Sequence, residues 1–240
     1  MYVAMFVYAW RKSDGGLFAK AMQQDLQNGA QAKRPCMRTL HWARTLGGVQ
    51  LHVEGSTLIA KARSRVLTRF LASDHDVLLM IDEDIDAPRD AIMVMQAHVE
   101  RTRGVALGVC ALSDTGGPNC WSLDGKNVGG VAFAAIHMEA AMKVALPMMR
   151  VRDADGSPLV PAFAEHIGGG EWGRRSGPAP HDAAAKRRRL YDDGPVWYGE
   201  DVSFCLRAHS AGVQVDALKL PGLLHDGREV DYAASIDPKP

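Results

Sequence analysis

Residues 77–86 read VLLMIDEDID. Val77-Leu78-Leu79-Met80-Ile81 is an apolar run without alternation, which marks a strand buried on both faces, because a strand with one wet face alternates with period two. The chain then turns acidic at Asp82-Glu83-Asp84-Ile85-Asp86, and Pro88 with Asp90 opens a helical stretch to about Glu100. Proline is tolerated in the first helical turn, and an acid there meets the positive end of the helix dipole. A buried strand feeding a helix is the unit of an α/β sheet. Carboxylates at the carboxyl end of its central strand stand where open sheets form their ligand crevice. Asp86 is expected to cap the following helix.

The same alternation extends outward in both directions. Residues 1–10 read as strand, 16–28 as helix, 49–53 as strand and 56–72 as helix. Downstream, 105–111 and 127–136 read as strands, with a helix over 138–145. At 197–210, Val202, Cys205, Leu206 and His209 recur at helical spacing, Gly212 supplies a stop, and 213–218 read as a short strand. The segment 147–195 is rich in Gly, Pro, charge and alanine with little periodicity, so a long excursion is expected there, with a flexible loop over 165–195. The predicted fold is α/β: a mixed, mostly parallel sheet flanked by helices, in one folding unit, a size that 240 residues suit.

Lysine plus arginine equals aspartate plus glutamate at 28 each, so no global field draws the chain to nucleic acid or anionic membrane, and any such partner must be held by a local patch. Cys36, Cys110, Cys120 and Cys205 are scattered without CxxC spacing, which points to a reduced, cytoplasmic setting rather than a disulfide scaffold. The apolar run at 1–10 has no basic region before it and is too short to span a bilayer, so it reads as a buried first strand and not a membrane segment.

Three places carry chemistry. Asp82, Glu83 and Asp84 repel one another unless a cation neutralises them, and a hard divalent ion bridging two phosphates does so; the plainer alternative is loop carboxylates in water. Trp197-Tyr198-Gly199-Glu200-Asp201 places two acids in the first turn of an amphipathic helix, where the dipole favours their ionised form. An ionised carboxylate there can take a proton from an attacking hydroxyl, or merely cap the helix, and the flanking aromatics can stack on a sugar. His225, in Leu223-Leu224-His225-Asp226-Gly227, follows the last strand.

The order Ala62-Arg63-Ser64-Arg65, then LLMIDEDIDAP, then NVGGVAFAAI, then WYGEDVSFCLRAHSAGVQVDALKLPGLLHDG resembles the GT-A glycosyltransferases, in particular the small, family-2-like ones of bacteria and their phages. The likeness covers roughly residues 50–110, 127–145 and 196–227, and the Gly-Glu-Asp helix followed by a strand and a histidine is its strongest piece. It implies a Rossmann-like sheet whose nucleotide-sugar-binding half is 1–110 and whose acceptor-side half is 111–240. It implies Asp84 and His225 as ligands of Mn²⁺ or Mg²⁺ with Asp82 near the metal and the donor ribose, Asp201 as base, and Glu200 orienting the acceptor. On the donor side it implies Tyr8, Ala9, Glu54, Arg63, Arg65, Asp82, Glu83, Gly129 and Gly130, the glycines letting backbone approach the sugar, with a UDP-sugar as donor. The family often has Ala-Arg-Asn where this chain has Ser64.

Trp197, Tyr198, Arg187 and Arg188 fall on the acceptor side. Arg174, Arg175 and Lys186-Arg187-Arg188-Arg189 form the one concentrated basic patch. Basic loops hold phosphates without reading sequence, and some phage relatives glycosylate hydroxymethylated bases, so DNA is one expectation for the acceptor and a merely solvated loop the other. Rival functions are a non-catalytic sugar- or nucleotide-binding domain and an Asp-x-Asp phosphohydrolase. The hydrolase places its motif after the first strand, which this chain does not, and the Arg11-Lys12-Ser13-Asp14-Gly15-Gly16 loop is a poor match for a nucleotidyltransferase.

Overall fold

The computed structural model describes residues 1–8, 24, 27–56, 58–112, 116–123, 125–168 and 196–230. In chain order its elements are β1 (Tyr2–Tyr8), α1 (Pro35–Thr45), β2 (Gln50–Ser56), α2 (Ile59–Leu71), β3 (Val77–Asp82), β4 (Ile85–Asp86), α3 (Arg89–Thr102), β5 (Val105–Gly108), β6 (Cys120–Leu123), β7 (Lys126–Gly129), β8 (Phe133–His137), α4 (Met138–Ala145), β9 (Val151–Arg152), β10 (Pro158–Leu159), β11 (His166–Gly168), β12 (Val196–Tyr198), α5 (Glu200–Ser210), β13 (Val215–Leu218) and β14 (Leu224–His225). The central sheet has six strands in the order β13-β5-β8-β3-β1-β2. Its pairs are parallel except that β8 runs antiparallel to both neighbours, β3 and β5. The mixed, mostly parallel α/β sheet expected from the sequence is therefore the architecture found.

The run at 77–81 lies in mid-sheet and is buried throughout. Its alternate side chains feed two cores: Leu78 and Met80 join Ala62, Val66, Leu67 and Phe70 of α2, Val144 of α4 and Phe204 of α5. Val77, Leu79 and Ile81 join Met37 and Leu40 of α1 and Ile92, Met95 and Val99 of α3 on the other face. Covering both faces of the sheet removes its apolar side chains from water, at about 25 cal/mol per Å² of apolar area. It also forces ligand access to the strand ends.

Helix α1 is not among the sequence expectations, although Pro35 at its start and apolar Cys36, Met37, Leu40 and Ala43 are helical signals. The single strand expected over 127–136 is two strands: β7 forms a hairpin with β6, whereas β8 enters the central sheet. The break falls where Ala132 leaves its partners to accept a hydrogen bond from the Asp82 amide at 2.8 Å. The excursion after 147 is more ordered than its composition suggests, with a β9–β10 ladder and a β11–β12 ladder. Phe163 is fully buried there and stacks on Phe204 at 4.3 Å between centroids, so one aromatic anchors a stretch that has no periodicity. Most of the helix expected over 16–28 and of the loop over 165–195 lies outside the described residues.

Asp86 does not cap α3. The residue before that helix is Pro88, without a side-chain cap, and Asp86 accepts from Arg38 Nε at 2.8 Å and Nη2 at 2.6 Å. The partner is on α1, so reading Asp86 with its neighbours in sequence alone could not find it.

Candidate active site

Strand β3 ends at Asp82, in register with Phe6 of β1, and the chain turns at once into β4. Strand β14 runs antiparallel to β4 with His225 opposite Ile85, and the Asp226 amide donates to the Asp84 carbonyl at 3.0 Å. This short ladder is what carries a histidine from the end of the chain to the acids after the central strand. His225 Nε2 lies 3.2 Å from Asp84 Oδ2, and its Nδ1 hydrogen-bonds the Ala111 carbonyl. The Asp84 bond holds the imidazole up at about 9, against burial. Burial alone would raise Asp84; the hydrogen bond and charge of His225 outweigh it and keep that carboxyl below its ordinary value.

The second acidic cluster arrives at the same edge. Gly199 precedes α5 in extended backbone, so Glu200 and Asp201 occupy the first turn. Arg63 of α2 joins the two clusters. Its Nη2 donates to Asp82 Oδ2 at 2.9 Å and Oδ1 at 3.2 Å, and its Nη1 donates to Glu200 Oε1 at 3.1 Å and to Asp201 Oδ1. The Arg63 side chain is 3% exposed, whereas those of Asp82, Glu200 and Asp201 keep 25%, 20% and 26%. The cation is thus inside and the acids face the crevice. Burial pushes Asp201 up to about 6, with Glu200 and Asp82 adding to the shift against Arg63 and a hydrogen bond from the Val131 backbone. Burial likewise raises Asp82, helped by Asp84 and opposed by Arg63. Two buried polar atoms lack a hydrogen-bond partner among the described residues, Asp84 Oδ1 and Arg63 Nε, and both belong to this site.

Asp82, Asp84, Glu200, Asp201 and His225 therefore come together as one edge of the sheet, with Arg63 beneath. Glu83 sits half-buried in the β3–β4 turn. Tyr198 is half-buried against the core, and its carbonyl accepts from Ser203. Trp197 pairs through its backbone with Ile167, and Tyr8 with Ser56; the side chains of both, and all of Ala9, Arg187 and Arg188, lie outside the described residues. Glu54 and Arg65 are engaged elsewhere: Glu54 accepts from Arg69 at 3.0 Å and Arg65 at 3.3 Å, and Arg65 Nε donates to Asp153. At Gly129 an added Cβ would lie 2.5 Å from the Asn119 carbonyl oxygen, and at Gly130 2.6 Å from Asn119 Nδ2. The space these glycines leave is filled by Asn119 and Cys120.

Asn119 is a residue the sequence reading missed. Its Oδ1 accepts from the Cys110 amide at 2.8 Å and its Nδ2 reaches the Gly130 carbonyl at 3.5 Å, so it ties the segment under His225 to the segment whose Val131 amide holds Asp201. The only local signal is the Gly117-Pro118 turn before it.

As for a metal, no group of three or more His, Cys, Asp or Glu side chains among the described residues stands ready to hold one. Asp84 and His225 form a pair, and the unpartnered Asp84 oxygen is the kind of acceptor a cation would satisfy. A hard divalent ion carried by a nucleoside diphosphate needs no more than one or two protein carboxylates, because phosphates and waters complete its shell. The residues present fit such an ion. No helix among the described residues is long and apolar enough to cross a membrane, and all four cysteines are buried and free.

The sequence matches no protein-family model, and no curated protein matches it. Among solved structures, the A197 protein from STIV is similar at 14% identity over 93% of this chain and 83% of that one, with a TM-score of 0.46. The galactosyltransferase LgtC in complex with donor and acceptor sugar analogs is similar at 11% identity over 90% of this chain and 73% of its own, with a TM-score of 0.37.

Proposed function

We propose that the protein is a metal-dependent glycosyltransferase of the GT-A type, transferring a sugar from a nucleotide-sugar, a UDP-sugar on the family likeness, to a hydroxyl acceptor. The observation that carries this reading is the convergence of two acidic clusters, Asp82/Asp84 and Glu200/Asp201, with His225 at the carboxyl edge of one sheet. Acids so crowded are unfavourable unless the site takes a cationic or metal-bound ligand.

Asp84 and His225 are the residues to hold Mn²⁺ or Mg²⁺, with Asp82 beside them. Such an ion supplies charge neutralisation for a departing diphosphate. On the acceptor side Asp201, at about 6, is largely ionised at neutral pH and basic enough to accept a hydroxyl proton as that oxygen attacks the anomeric carbon. Glu200 orients the acceptor. Leaving-group charge and acceptor proton are thereby handled by separate acids, as transfer between two oxygens requires. The acceptor suggested by the basic run 186–189 is a nucleic acid. Salt-sensitive duplex binding, lost when those four residues become alanine, supports that arm, and no binding at low salt rejects it.

The test of the whole is release of nucleoside diphosphate from a panel of nucleotide-sugars with Mn²⁺. Release of one nucleotide by the wild type, abolished in Asp201→Asn and without added metal, is the expected result. Absence of release and of binding for every donor would return the chain to a non-catalytic role.

A further inference from the structure

We infer that Arg63 is a positioning residue, and not a donor contact: it clamps the first turn of α5 to the end of β3 so that Asp201 and Glu200 are presented to the crevice from a fixed base. The inference rests on the proposed transferase reading for what those acids do, but the clamp itself does not.

Three features carry it. Both terminal nitrogens of Arg63 are committed to carboxylates from two separate elements, Asp82 on β3 and Glu200 with Asp201 on α5. A planar guanidinium can bridge in this way because its donors are fixed in a fork, whereas an ammonium is a point charge. The group is also 3% exposed and lies 5.8 Å from the centre of the Phe6 ring, so it is walled off on one side by β1 and covered on the other by the acids it holds. A diphosphate or sugar hydroxyl reaching it would have to displace them. Finally, Phe204 and Cys205 anchor the body of α5 in the core, but Glu200 and Asp201 lie in its first turn, directly after Gly199, where no described atom comes within 4 Å of an added Cβ, so core packing alone does not set the angle of that turn. Side-chain ties settle that angle: Arg63 to β3, and Ser203 Oγ back to the Tyr198 carbonyl at 3.0 Å.

The experiment compares wild type, Arg63→Met and Arg63→Lys by three readouts: amide hydrogen exchange, the Kd for UDP with Mn²⁺, and turnover of whichever nucleotide-sugar the wild type uses. With the clamp gone, exchange at 200–204 rises by about tenfold or more while protection in β1, β3 and β5 is kept. The Kd stays within about twofold, and kcat falls by about a hundredfold with KM little changed, because geometry and not binding was lost. Arg63→Lys recovers part of the rate and carries the test alone if Arg63→Met does not fold. A Kd weakened by about tenfold or more with exchange at 200–204 unchanged would make Arg63 a donor contact and overturn the inference. Should the wild type bind no nucleotide, the transferase reading fails but the exchange arm still decides the clamp: unchanged protection rejects it and raised protection loss at 200–204 upholds it.

Discussion

Helix α2 carries two ionic clusters that invite comparison. Toward β2 and the turn after β9, Lys61, Arg65, Arg69 and His52 surround just Glu54 and Asp153. Each carboxylate oxygen there has a partner: Glu54 is reached by His52, Arg65 and Arg69, and Asp153 by Lys61, Arg65 and the Ala154 amide. Two residues earlier, Arg63 faces the other way. Arg63 and His225 meet four acids, Asp82, Asp84, Glu200 and Asp201, and the unpartnered Asp84 Oδ1 and Arg63 Nε are left over. The first cluster is complete as it stands and ties elements together. Among the described residues the second has more negative charge than its cations offset, which a protein tolerates where a ligand supplies the remainder. The helix thus separates a structural network from a site by the direction of one side chain.

Breaking the second cluster therefore costs ligand binding and turnover, and breaking the first costs stability. The largest effect is expected at Asp84: Asp84→Ala abolishes any metal-dependent stabilisation by a nucleotide, read as the shift in unfolding midpoint, while the metal-free midpoint falls slightly, since His225 loses the carboxylate that holds it charged. Next, Asp201→Asn lowers transfer by about a thousandfold with donor Kd preserved, as loss of a general base does; a change in Kd without a change in rate would move Asp201 from base to binding group. Smaller again is the effect of pH. A base must be ionised, and Asp201 titrates at about 6, so the rate constant falls roughly tenfold per unit below that pH and is level above it. A profile still rising between pH 7 and 8 would point to another base. The smallest effect on function belongs to the complete cluster: Glu54→Gln costs about 1 kcal/mol of stability by removing the charge of a buried carboxylate from its partly exposed partners Arg65, Arg69 and His52, seen in chemical denaturation, and leaves nucleotide binding as it was.

The sequence carried the sheet and the two acidic clusters, because strand β3 is an unbroken apolar run and α5 a periodic one, both local patterns. Its acids were legible as types and as strand-end or helix-start positions. What joins them was not: helical spacing puts Arg63 on the buried face of Val66, Leu67 and Phe70, but only the tertiary fold brings Asp82, Glu200 and Asp201 around it and sets Arg65 against Asp153. The same holds for Asp86, whose partner Arg38 is on a helix that went unread, and for Asn119, which matters through two backbone contacts with no sequence signature. The glycines at 129 and 130 were legible as close approaches, but the approaching groups are Asn119 and Cys120, at the start of the partner strand of their own hairpin. Side-chain partners across long sequence separations are set by tertiary packing, which a single chain's local pattern does not encode.

Whether this acidic edge receives a metal-bound nucleoside diphosphate is decided by thermal unfolding with UDP-, GDP-, CMP- and TDP-sugars, each with and without Mn²⁺, on the wild type and Asp84→Ala. A ligand that binds the native state raises the midpoint by mass action. The expected result is a rise with one nucleotide that requires Mn²⁺ and disappears in Asp84→Ala. No rise with any of them, or a rise indifferent to both metal and Asp84, would contradict it.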